Sequence, residues 1–121
     1  MKAGDTFIPK KFEHLWIILS DPSLDPENVV IVNFTTHTVD EEQVCIVQRG
    51  EHSFIKHKTA VRYRDAKKVS LSILQHLQKT KMLKVNDPLS PTLLARVRRG
   101  AAVSAFLPEE CKEVLDNQGL I

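Results

Sequence analysis

The 121-residue sequence is poor in cysteine, glycine and aromatic residues, and it has no long apolar run. Its two cysteines, Cys45 and Cys111, lie far apart without CxxC spacing, which excludes a disulfide-dense scaffold and gives a zinc or redox motif no support. Both are expected to be reduced and structural. The 4 glycines are isolated, so there is no Gly-rich phosphate loop and no case for a nucleotide-driven enzyme or a nucleotide cofactor. With 42% apolar and 26% charged residues and only 6 prolines, collagen and low-complexity disorder also drop out. The longest apolar run, Leu15 to Leu19, falls far short of the roughly 18 residues a membrane helix needs, and the N-terminus has no signal-peptide core. A cytoplasmic protein with no membrane partner is expected. The length suits one domain over 1–121 with one core.

What the chain does have is a segregation of charge. Residues 1–50 carry 4 basic and 8 acidic side chains, residues 51–100 carry 12 and 3, and residues 101–121 carry 1 and 4. A middle segment this positive marks a polyanion-binding surface if folding gathers its charges, and a set of solvated lysines at turns and helix ends if it does not.

The first half predicts short strands separated by turns. Asp5 to Pro9, His14 to Leu19, Val29 to Thr36 and Gln43 to Val47 are apolar or β-branched runs. Asp21-Pro22-Ser23-Leu24-Asp25-Pro26, Asp40-Glu41-Glu42 and Arg49-Gly50-Glu51 supply the breaks between them. Strand spacing near ten residues suggests a small antiparallel barrel or sandwich. Phe54 to Arg64 is the most informative stretch: as a strand it places Lys56, Lys58, Arg62 and Arg64 on one face and His57, Thr59, Val61 and Tyr63 on the other. A loop at Lys56 to Lys58 would shorten that basic stripe to its two arginines. The second half predicts helices over Ser70 to Lys79, from Ser90-Pro91 to about Ser104, and from Pro108-Glu109-Glu110 to a stop at Gly119. Lys81 to Val85 is a short strand or a loop. The expected fold class is α+β, with a barrel over 1–68 and a helical extension over 69–121.

Among residues that could carry chemistry, His52 and His57 do not match a zinc spacing, so no metal site is assigned. Cys45 sits between Val44 and Ile46, a setting for a core thiol rather than a nucleophile. His14, Thr35, Thr36, His57 and Thr59 remain, all at strand ends of the first half. Such a set suits metal-free cleavage of a phosphodiester by the RNA's own 2′-OH, which needs a proton acceptor, a proton donor and positive charge at the phosphate. Histidine serves the first two near neutral pH. For any one threonine taken alone, strand propensity is the better account.

The pieces Gly4-Asp5-Thr6-Phe7-Ile8, Trp16-Ile17-Ile18-Leu19-Ser20-Asp21, Val29-Val30-Ile31-Val32-Asn33-Phe34-Thr35-Thr36 and Lys58-Thr59-Ala60-Val61, in this order, resemble the PemK/MazF-like plasmid-maintenance toxins. The resemblance covers roughly residues 3–65, and Gly50-Glu51-His52-Ser53-Phe54-Ile55 looks like the signature of a divergent branch. It implies an SH3-like β-barrel with appended helices, a homodimer, and a metal-independent endoribonuclease neutralised by an antitoxin protein. It also implies site residues: Thr35, with Thr36 beside it, at the family's catalytic hydroxyl, Thr59 at its later one, and His14 where the family carries an arginine. Histidine can exchange a proton there but lacks the permanent bidentate charge of arginine. Lys56, His57, Lys58, Arg62 and Arg64 are the expected RNA contacts. Two readings follow, an RNA-cleaving toxin working through His14 and Thr35, and a non-catalytic barrel binding RNA or a protein partner in the same groove.

Overall fold

The prolines and aspartates of the first half act as turn chemistry. Asp21 Oδ1 accepts from the Ser23 backbone N–H (2.9 Å) and hydroxyl (2.8 Å), and Asp25 Oδ1 from the N–H groups of Glu27 and Asn28 (3.0 and 3.1 Å), which folds the chain back between two apolar strands. The computed structural model describes residues 1–11 and 14–121. Its elements are β1 (Thr6–Pro9), β2 (Trp16–Ile18), β3 (Asn28–Thr36), β4 (Ile46–Val47), β5 (Thr59–Ser70), α1 (Leu71–Lys79), β6 (Leu83–Asn86), α2 (Pro91–Val103) and α3 (Glu109–Asn117). The strands form one antiparallel sheet in the order β4-β5-β3-β2-β1-β6.

Helices cover both faces of this sheet, which is why β2 and most of β3 are apolar at successive positions rather than at alternate ones. On one face Leu15, Ile17, Val32, Phe34, Val61 and Tyr63 pack with Leu93, Val97 and Ala101 of α2 and Cys111 and Leu115 of α3. On the other, Phe7, Trp16, Ile18, Val29 and Ile31 pack with Leu71 and Leu74 of α1. Burying one such Leu or Val side chain stabilises the fold by about 1.5–3 kcal/mol, so neither helical layer is dispensable to a domain whose net stability is about 5–15 kcal/mol.

The sheet is not closed into the barrel expected from the sequence. Among the described residues β4 pairs only with β5 and β6 only with β1, so both edges stay free of strand partners. The physical reason lies in β4, which is two residues long, and in residues 48–58, which cross the gap as a loop. His52 Nε2 donates to the Asp87 carbonyl (2.6 Å) just after β6, and the Ser53 hydroxyl donates to the Asp87 carboxylate. Phe54 N–H donates to His52 Nδ1 (3.0 Å), which assigns the proton of this buried imidazole to Nε2. The architecture is therefore α+β with an open six-stranded antiparallel sheet and three helices among the described residues. One of its strands, β6, comes from within the half expected to be helical and adds to the β1 edge.

A second correction concerns β5, which starts at Thr59 and runs to Ser70. Lys56, His57 and Lys58 lie in the preceding loop. Within β5 the register jumps: Asn33 faces Arg62 while Ile31 faces Lys67, so four residues, Tyr63 to Ala66, oppose the single Val32. That bulge re-aims Arg64 away from Arg62.

The helix boundaries follow local chemistry. Ser70 and Ser90 cap α1 and α2, their Oγ atoms accepting from Ile73 N–H (3.4 Å) and Leu93 N–H (3.1 Å). Helix α1 ends with Met82 N–H donating to the Leu77 carbonyl (2.8 Å) and Lys81 N–H to that of Gln78 (3.1 Å), with Lys81 in the left-handed region at φ 62°.

Candidate functional site

Antiparallel pairing brings the exit of β3 and the entries of β2 and β5 to one end of the sheet. Thr36 faces Thr59 across the β3–β5 pair, and Phe34 N–H donates to the Leu15 carbonyl (3.0 Å), which keeps β2 in step with β3 up to His14. At this end lies a cleft of about 240 Å³ lined by His14, Thr35, Thr36, Lys56, His57 and Thr59, with Phe34, Phe54 and Ile55 as its apolar wall. The structure thus brings together all four residues expected to be catalytic and two of the five expected RNA contacts.

The cleft is an imidazole and hydroxyl surface. His57 Nε2 lies 3.1 Å from Thr36 Oγ1, a pairing in which either group donates according to the tautomer of the ring. His14, two residues before β2, and Thr35 of β3 both line the cleft, next to the register pair Trp16 and Asn33. Thr59 is 5% exposed, and its hydroxyl donates to the His57 carbonyl (2.9 Å). Its role in this geometry is to hold the loop that presents His57.

That loop is rigidly fastened. Ile55 is buried in the core, and Arg96 of α2 makes two bonds to the Glu51 carboxylate (2.7 and 2.8 Å) and one to the Ile46 carbonyl (3.1 Å). The Arg96 bonds and a backbone bond from Gln48 hold the Glu51 carboxyl below the ordinary carboxylate range, and Glu51 in turn pushes the Arg96 guanidinium further up. Nothing in the local sequence of Arg96 signals a partner 45 residues away.

Two of the remaining expected contacts, Arg62 and Arg64, are engaged away from the cleft. Arg62 lies 3.8 Å from Glu41 and 3.6 Å from Asp65, and the Arg64 guanidinium sits 4.8 Å over the Phe106 ring. The single stripe of Lys56, Lys58, Arg62 and Arg64 is therefore split by the late start of β5 and by its bulge. Lys58 is exposed beside the cleft, and its carbonyl accepts from His37 N–H (3.1 Å). Phe54, 37% exposed, is a lining residue that the strand reading had overlooked. Only its place beside Ile55 and His57 marks it in the sequence.

Other reactive side chains are used structurally. Both ring nitrogens of His52 are hydrogen-bonded, so it offers no free ligand atom to pair with His57. No group of three or more His, Cys, Asp or Glu suited to a metal ion occurs among the described residues. Burial pushes the Cys45 thiol up and that of Cys111 to about 11, which suits core packing rather than nucleophilic attack. Among the described residues no helix is long and apolar enough to cross a membrane. No family model matches the sequence, and no curated protein or solved structure matches the chain.

Proposed function

We propose that the cleft binds RNA and cleaves it without a metal, as in the toxin of a toxin-antitoxin pair. The observation that carries this reading is the convergence of His14 and the hydrogen-bonded Thr36–His57 pair, with Thr35 and Lys56, on one cleft at the sheet end. In the step we assign, one imidazole takes the proton of the RNA 2′-OH while the 2′-oxygen bonds to phosphorus. The phosphorus–5′-oxygen bond breaks, and the other imidazole gives the departing 5′-oxygen its proton. The products are a 2′,3′-cyclic phosphate and a 5′-hydroxyl. Lys56 and the Thr35 hydroxyl offset charge on the phosphate oxygens. Phe54 offers a ring face on which a base stacks, an interaction worth about 1–3 kcal/mol.

The resemblance of residues 3–65 to PemK/MazF-like toxins supports the same assignment and adds two proposed partners, a protein antitoxin and a second copy of the chain. One observation favours binding without cleavage: among the described residues no arginine lines the cleft, so transition-state charge falls to a lysine and to hydroxyls.

The test is digestion of a mixed-sequence RNA with EDTA present, followed by end-group analysis. Cyclic phosphate termini, together with resistance of an oligonucleotide carrying a 2′-deoxy residue at the cut position, are the expected result. An intact RNA that still binds in the cleft would reject catalysis and leave the binding reading.

A further inference from the structure

The cleft is one part of a longer line of cations. Strand order and register place the entry of β5, the exit of β3, the entry of β2, the exit of β1 and the entry of β6 side by side at one end of the sheet. Two backbone bonds continue this alignment beyond the strands: His37 N–H to the Lys58 carbonyl (3.1 Å) and Lys10 N–H to the Met82 carbonyl (2.9 Å). Walking along that end from β5, one meets Lys56 and Lys58, then the hydroxyls and imidazoles of the cleft, then Lys10 and Lys11, then Lys81. All five lysines are exposed, and among the described residues none is in an ion pair.

Lys81 adds an independent observation. It occupies the left-handed position that ends α1, with φ 62°, where glycine is the least strained residue because it has no Cβ. A lysine at that point holds an unfavourable backbone conformation while presenting a cation at the far end of the row.

We infer that the sheet end is a phosphate track for single-stranded RNA, entering over Lys56 and Lys58, crossing the cleft and leaving over Lys10, Lys11 and Lys81. This extends the reading of the cleft as an RNA site and rests on it. With neighbouring strands about 4.8 Å apart, the four steps from β5 to β6 span about 19 Å, room for several nucleotides running at right angles to the strands. Among the described residues, a line one residue wide, interrupted by hydroxyls and imidazoles, fits a single polyanionic chain better than a planar anionic surface. The track makes the cut internal: an RNA with no nucleotides beyond the scissile phosphate on the β6 side forgoes three of the five lysines.

The experiment measures binding of a 12-nucleotide 2′-O-methyl RNA, which lacks the attacking hydroxyl, by fluorescence anisotropy over a salt series. Each phosphate neutralised on a single strand contributes a slope of about −0.7 in log K against log salt. The Lys10→Gln, Lys11→Gln, Lys81→Gln triple variant should therefore lose about 2 from the slope and about 10²-fold in affinity at 0.1 M salt. A 4-nucleotide RNA that fills only the cleft should bind the triple variant and the parent alike.

Folding is controlled separately by Lys81→Gly, which should raise the urea midpoint while weakening RNA binding, two effects of opposite sign. Parent-like affinity and slope for the triple variant would overturn the track and leave the cleft reading standing. Loss of the cleft reading looks different: Lys56→Gln with His57→Gln would then leave both oligonucleotides bound as tightly as before. Binding of the parent to phosphatidylserine vesicles but not to RNA would overturn both.

Discussion

Gly100, inside α2, is the position where the structure makes the sharpest demand on a single atom. A Cβ built there would sit 2.0 Å from the Tyr63 hydroxyl, 2.9 Å from its ring Cζ and 3.1 Å from Cys45 Cβ. Tyr63 is fully buried and its hydroxyl donates to the Val97 carbonyl (2.6 Å), so neither partner can swing into solvent. In an open helix position Gly→Ala would stabilise by about 1 kcal/mol. Here overpacking costs about 1–3 kcal/mol, and losing the buried hydroxyl–carbonyl bond costs about 1–3 kcal/mol more. We expect Gly100→Ala to destabilise by about 3 kcal/mol, the sum of these opposing effects. Urea unfolding followed by the emission of the sole tryptophan, Trp16, reads this directly. With a slope of about 2 kcal/mol per molar urea, the midpoint should fall by about 1.5 M. Tyr63→Phe removes the closest clashing atom at a cost of about 1 kcal/mol. In that background Gly100→Ala should be milder, giving a coupling of about 2 kcal/mol in the double-mutant cycle. A raised midpoint for Gly100→Ala, or equal losses in the two backgrounds, would refute the packing argument.

Further outcomes are expected at the cleft and its supports. His14→Ala and His57→Ala should each reduce RNA cleavage by about 10²–10⁴, with little change in the urea midpoint, as measured by initial rates on a labelled oligonucleotide. Glu51→Gln should destabilise by about 1 kcal/mol at pH 7, because the Arg96–Glu51 pair is only partly shielded from water. The folded-state pKa of Glu51 is depressed, so its contribution is present above the unfolded value of about 4.3 and lost as pH falls below it. Parent and variant should converge in stability towards pH 3. Ser90→Ala should cost about 1 kcal/mol by removing the bond to Leu93 N–H, seen as a lower midpoint.

The parts of this fold that are legible in the sequence are those decided locally. Ser90-Pro91 fixes the start of α2 because the hydroxyl and the missing N–H act within one turn, and the β-branched run Val29–Thr36 matches β3 closely. Helix α3 and its acidic first turn are equally local. The misreadings are all long-range. Phe54 to Lys58 alternates like a strand, yet Ile55 is drawn into the core from a loop, so β5 begins only at Thr59. Its continuation to Ser70 is hidden because Arg64-Asp65-Ala66-Lys67-Lys68 contains a bulge and mostly solvent-facing charge. That His14 and the threonines line one cleft is legible because hydroxyls and imidazoles at strand ends are conspicuous. The role of Arg98, which donates twice to the Leu19 carbonyl (2.9 and 2.7 Å), is not legible, since a helical arginine looks the same whether it meets water or the end of a strand.

Two of the bonds that fasten the loop presenting His57 reach residues that come much later in the chain, Glu51 to Arg96 and His52 to Asp87. A ribosome adding about 5–20 residues per second needs about 2–8 s to pass from residue 58 to residue 96. During that interval β1 to β4 exist as sequence and Thr36 can already meet His57, but the loop lacks its Arg96 anchor. On the proposed function, the messenger being translated beside the chain meets an incompletely braced cleft until α2 has emerged.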